Sequence, residues 1–250
     1  MSSSDFNETI DGAVAAVNRA VEALKESGGI SAGNTAEALR QARAFFSSQN
    51  SLEQAAICAV NLGDLAWNQS NADEARGYYT VARDEFFEVG KLREAADATM
   101  NLAMVLWGTG ELVEARTLYL DALAYYTESD LQHEIASAKL SLGALHEATE
   151  EPDIALAAYQ DALAYYLQAD NSRRVGQCRL GIGRVLLSDN RFEEAEPFFL
   201  EARETFRSRG QQQQFGECIV ALADIYHGLG RNDEARKAFE EARTVFAIAQ

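Results

Sequence analysis

The chain has 250 residues and a formal net charge of −17, with two prolines and three cysteines. Such an excess of acid repels nucleic acid and anionic membrane surfaces, so neither is expected as a partner. Scarce proline with abundant Ala, Glu and Leu favours helix throughout, and no apolar run approaches the roughly 20 residues of a membrane span.

Taken in order, residues 1–4 are expected to be disordered. From Asp5 to about Ser27 the apolar residues Ile10, Val14, Val17, Val21 and Leu24 recur at three- and four-residue steps, one apolar helix face. The start lacks the basic and apolar segments of a secretory signal, which leaves the cytoplasm as the expected location. A breaker cluster, Ser27 to Asn34, follows, and Asn34 or Thr35 is expected to cap the next helix.

From about residue 49 the chain repeats itself. Asn61, Asn101, Ser141, Gly181 and Ala221 align at a period of 40 without a gap, and two residues on come Gly63, Ala103, Gly143, Gly183 and Ala223. Small residues at Ala75 and Ala82 and aromatic residues at Tyr79 and Phe86 recur in the same register. A period of this length marks stacked supersecondary units, each burying its apolar face only against its neighbours. Each unit reads as two helices. The first carries an inward stripe (Ala59, Leu62, Leu65 and Ala66), then a polar or glycine turn such as Ser70-Asn71 or Thr109-Gly110. The second opens on acids such as Asp73 and Glu74, where the helix dipole favours negative charge. Ala42 and Phe46 match Ala82 and Phe86, so residues 5–48 read as a degenerate helix pair ahead of five repeats over 49–250. Pro152 falls where a second helix begins, a tolerated place. Pro197 falls inside one and predicts a kink or late start near Glu193 to Pro197.

The order Asn-Leu-Gly, turn, Glu-Ala, aromatic, Ala resembles the tetratricopeptide repeat. Its 40-residue spacing is similar to the repeats of kinesin light chains and Pins-type scaffolds. The proline that commonly closes a unit is absent, and Glu88-Val89-Gly90-Lys91 suggests a lengthened first helix. The resemblance implies an all-α, right-handed superhelical solenoid of about six antiparallel helix pairs. Its first helices would line a concave groove for a peptide or helix of a partner protein.

In that register the groove positions are Asn61, Asp64, Trp67 and Asn68, then Asp97, Asn101, Met104 and Trp107. Ser137, Ser141 and Glu147 follow, then Gln177, Arg184 and Leu187, then Glu217, Asp224 and His227. Of these, Asn61, Asp64, Trp67, Asn68, Asp97, Asn101, Met104, Trp107, Ser141 and Arg184 are the candidate protein-binding residues. Asn61 and Asn101 could bridge a peptide backbone, since an amide both donates and accepts, or only cap local backbone. Trp67 and Trp107, one repeat apart, could anchor an apolar side chain or pack on the next unit. Arg184, with Arg173, Arg174 and Arg179, could clamp a carboxylate or join a local network of acids.

Chemistry has no evident seat in this pattern. His133, His146 and His227 hold different repeat positions, and Cys58, Cys178 and Cys218 share a small packing position. No phosphate loop or nucleophile elbow occurs, so neither enzymatic activity, nor a metal, nor a cofactor is expected. The reading is a non-enzymatic scaffold or adaptor. Its alternatives are a peptide-sensing regulator and a self-assembling structural protein, the last by end-to-end pairing through the terminal helix with Val245, Phe246 and Ile248.

Overall fold

The structure is a computed structural model that describes residues 32–248, and the side chains of 35–247. The expectations for residues 1–31, and for the side chain of Ile248, lie outside the described residues. Eleven helices follow one another among the described residues, with no strand: α1 (Ala32–Ser48), α2 (Leu52–Asn68), α3 (Ala72–Glu88), α4 (Leu92–Gly108), α5 (Leu112–Glu128), α6 (Gln132–Ala148), α7 (Pro152–Gln168), α8 (Ser172–Ser188), α9 (Phe192–Ser208), α10 (Gln212–Gly228) and α11 (Asn232–Ile248). They fall into two compact units, the first ending at Ser129 and the second starting at Asp130.

The frame is more regular than the sequence suggests. Every described helix has 17 residues and starts recur at Ala32, Leu52, Ala72 and onward, so the 40-residue period is two halves of 20. The punctuation is a residue held in the left-handed region between successive helices, from Asn50 through Ser70 and Gly90 to Gly230, with φ between 51° and 88°. The amide after it commonly donates back to the carbonyl five residues earlier. Asn71 N–H reaches Ala66 O at 2.9 Å, and Arg231 N–H reaches Tyr226 O at 2.8 Å. This arrangement satisfies carbonyls that a helix end would orphan.

Three expectations are corrected by that frame. Glu88 to Lys91 does not lengthen a first helix, because Gly90 (φ +72°) stops α3 and α4 begins only at Leu92. Asn34 and Thr35 do not cap α1, which is already helical from Ala32, and Thr35 is buried in its first turn. Pro197 causes no late start: α9 begins at Phe192, in frame with its counterparts, with Ala195 N–H donating to Arg191 O at 2.9 Å. Ala195 and Phe199 are fully buried in the core there, and a proline at 197 removes the donor to the Glu193 carbonyl and sets its ring against that carbonyl. Pro152 does open α7.

Packing follows the small and aromatic series. Ala75, Tyr79, Ala82 and Phe86 are buried along α3, and their counterparts Ala155, Tyr159, Ala162 and Tyr166 are buried along α7. The glycines make room for rings. A Cβ on Gly63 would stand 2.7 Å from Tyr79 Cε1, and one on Gly143 would stand 2.7 Å from Tyr159 Cδ1. The Tyr159 ring also presses on Gly181, so it is held between α6 and α8. Cys58, Cys178 and Cys218 are fully buried and unbridged, as a small packing position requires. Burial pushes the Cys58 thiol up to about 11 and those of Cys178 and Cys218 to about 12. None of the three is therefore a thiolate at neutral pH.

Candidate protein-binding face

The first-unit candidates lie on α2 and α4, the first helices of two successive pairs. Their apolar stripes turn Leu62, Leu65, Leu102 and Leu106 inward, which leaves positions 61, 64, 68, 97 and 101 at or near the surface. Asn61, Asp97 and Asn101 converge on one cleft of about 180 Å³, completed by Ile57, Val60, Phe86, Glu94 and Ala98. Its floor is apolar and its rim combines two amides with two carboxylates. The Asn61 amide donates to the Ile57 carbonyl of its own helix at 2.8 Å, which leaves its side-chain oxygen as an acceptor. The Tyr126 hydroxyl donates to Asp97 Oδ1 at 2.6 Å, fixing that carboxylate.

The remaining first-unit candidates stand apart from the cleft. Asp64 accepts from the Tyr79 hydroxyl at 2.6 Å. Burial holds its carboxyl above the usual range, and the Tyr79 hydrogen bond opposes that rise. Trp67 is half-buried, and a Cβ on Gly108 would sit 2.5 Å from its Cη2 atom. The indole therefore packs on the last turn of α4. Trp107 and Met104 are half-buried and Asn68 is exposed.

Ser141 and Arg184 belong to the second unit, and each has hydrogen-bond partners of its own. Ser141 hydroxyl donates to the Ser137 carbonyl at 3.2 Å. Arg184 is taken up by a network: Nε donates to Glu147 Oε1 at 2.6 Å, Nη2 to Glu147 Oε2 at 3.0 Å and Nη1 to Glu217 Oε1 at 3.1 Å. Tyr159 hydroxyl donates to the same Glu147 at 2.7 Å. One polar chain thus links α7, α6, α8 and α10. Burial works against the Arg184 charge, but the bonds from the two glutamates outweigh it and its pKa is raised. Arg179 pairs with Glu201 at 2.5 Å. Of the alternatives open to these arginines, the local network is the arrangement adopted by Arg179 and Arg184.

Sequence reasoning did not single out Tyr126 and Tyr166. Both stand in the aromatic series that Phe86 opens, in which Tyr126 and Tyr166 carry a hydroxyl and Phe206 does not. Among the described residues no group of three or more His, Cys, Asp or Glu could hold a metal ion, and no helix is long and apolar enough to cross a membrane.

Tetratricopeptide repeat models match residues 30–88 and, in overlapping windows, 94–168, 134–208 and 179–248. The chain belongs to the tetratricopeptide repeat family. Solved structures with this fold include BtubC (BKLC) from P. vanneervenii, at TM-score 0.73 and 19% identity over 90% of this chain and 91% of that one. A Rap protein complexed with competence and sporulation factor matches at TM-score 0.67 and 15% identity, over 95% of this chain and 77% of that one. The nearly identical TPR-like repeats of a Podosopora anserina protein described as a kinesin light chain match at TM-score 0.62 and 15% identity, over 77% and 95%. At these identities the likeness is one of fold. No curated protein matches the chain in sequence.

Proposed function

We propose that this tetratricopeptide repeat protein is a non-enzymatic adaptor, working in the cytoplasm, that holds a peptide or helix of a partner protein on the first-helix face of its first unit. The observation that carries the reading is the cleft where Asn61, Asp97 and Asn101 surround an apolar floor. Amide side chains can hold a peptide backbone while the floor takes one apolar side chain, the usual division between orientation and affinity at such sites. Asn68, Met104 and Trp107 extend the contact along α2 and α4, and a half-buried indole is a common interface anchor. Trp67 contributes chiefly by packing.

The Rap protein bound to competence and sporulation factor favours a second reading, a peptide-sensing regulator that uses the same face. In a third, α11 pairs end to end with another copy. Phe239 and Phe246 are exposed on it at 45% and 40%, and light scattering on Phe246→Asp tests that idea.

The test of the main reading is an Asn61→Ala, Asn101→Ala double variant, compared with the parent by melting temperature and by quantitative capture from native lysate. Unchanged melting with loss of specific captured proteins is expected. Identical capture by parent and variant would move the site elsewhere.

A further inference from the structure

A cation is missing from the first unit at a register position where the second unit supplies one twice. Lys139 on α6 pairs with Asp161 on α7 at 2.5 Å, and Arg179 on α8 pairs with Glu201 on α9 at 2.5 Å. Each pair joins a first helix to its second helix across the same 22-residue separation. Forty residues before Lys139 stands Thr99 on α4, and forty before Asp161 stands Asp121 on α5. Thr99 is buried, and its hydroxyl donates to the Ala95 carbonyl at 2.8 Å. Asp121 is exposed and has no ion pair or hydrogen bond among the described residues. In the outer repeats these two positions hold Ala59 with Val81 and Ile219 with Glu241. Only at Thr99 does a short side chain share the register with an acid.

The space that a longer side chain would fill is open. Thr99 and Asp121 line a cavity of about 280 Å³ whose walls include Phe87, Leu92 and Tyr125. None of the residues lining it also lines the cleft at Asn61. Phe87 and Leu92 are exposed at 57% and 44%, whereas their counterparts one repeat on are the polar Thr127 and Gln132. An apolar mouth thus accompanies the missing cation. Such walls with one carboxylate suit a lysine or arginine, which lays its aliphatic stem on apolar surface and keeps its charge at the edge. The aromatic faces of Phe87 and Tyr125 favour a cation as well. A purely apolar occupant would instead strip water from Asp121 without pairing it, which is costly.

We propose that this cavity is a docking site for a lysine or arginine side chain of a partner protein. The partner brings to Asp121 the charge that Lys139 and Arg179 bring to their acids from within the chain. The net charge of −17 favours a basic partner over a second copy of this chain. The site shares no residue with the cleft at Asn61, so either can fail while the other stands.

The test titrates the full chain with Ac-Ala-Lys-Ala-NH2 and with the same peptide carrying norleucine for lysine. The Thr99 methyl and the Tyr125 ring are followed by NMR. Saturable shifts are expected with the lysine peptide, and binding roughly tenfold weaker with the norleucine one, the loss of one charge-assisted contact. Asp121→Asn is expected to weaken lysine-peptide binding to the same extent, and Thr99→Lys, which fills the cavity from within, to abolish it. Asp121 lies at the surface, so its variant keeps the fold and carries the test even where Thr99→Lys does not fold. Equal binding of both peptides, or binding unaltered in Asp121→Asn, overturns the proposal. Unaltered shifts are expected in the Asn61→Ala, Asn101→Ala variant; weakened ones would place the peptide in that cleft and overturn it too. Binding of spermidine where neither peptide binds would assign the site to a free amine and reject a protein partner. Self-association of the parent in light scattering, removed by Asp121→Asn, would assign it to a second copy with the same result.

Discussion

The two units share a frame and differ in the face built on it. In both, 17-residue helices are separated by a left-handed turn residue, and a glycine in the first helix accepts an aromatic ring from the second. On the first-helix face the first unit offers amides around an apolar cleft. The second unit covers the corresponding face with the Tyr159–Glu147–Arg184–Glu217 chain. Identical packing therefore carries unlike surfaces. Residues that set the helix spacing are constrained by sterics, whereas those one or two positions away answer only to what they bind.

The strongest way to probe the common frame is to remove a ring from one unit. Tyr159→Ala leaves a void between Gly143 and Gly181 and frees Glu147 from its hydroxyl donor. A loss of about 3–5 kcal/mol is expected from chemical denaturation. Hydrogen exchange should localise the loss to residues 130–248; protection falling equally in both units would break the comparison.

The turn position gives a smaller effect of opposite sign. Glu150 sits at φ +57°, where the first unit has Gly90 and Gly110 at the same step of its own turns. Left-handed backbone costs a residue with a side chain roughly 1–2 kcal/mol, partly offset by the entropy that glycine loses on folding. Glu150→Gly should therefore stabilise by about 1 kcal/mol in a denaturant midpoint assay, and a fall in the midpoint would contradict the turn geometry.

The smallest effect concerns the half-buried Asp64 of the first unit. Burial raises the Asp64 pKa in the folded chain. Its contribution is thus present below the ordinary aspartate value of about 3.9 and is lost as the pH rises through the raised one. Asn at this position keeps an acceptor for the Tyr79 hydroxyl without the charge. Asp64→Asn should flatten the pH dependence of melting just above pH 4 and slightly raise the melting temperature at neutral pH. A steeper dependence would show that the tyrosine bond outweighs burial.

Much of the fold was legible in the sequence because its period is written in steric residues. Gly63 and Gly143, Ala75 and Ala155, and Tyr79 and Tyr159 can be aligned without coordinates, and each identity is dictated by the distance between two helix axes. The exact 20-residue half-period was less visible. It is set by a backbone angle that Asn, Ser, Asp, Glu and Gly all adopt here, so no single residue type marks it. The site was legible only as a set of positions. Sequence register assigned Asn61, Asp97 and Asn101 to one face, and their convergence on a cleft follows from how α2 and α4 pack. Whether Trp67 covers a backbone and whether Arg184 is already engaged depend on residues far apart in the sequence meeting across helices. The sequence determines that such helices stack, because small and aromatic residues must interlock. Which polar groups then find partners is decided only in three dimensions, where hydrogen bonds form or fail within a few tenths of an ångström.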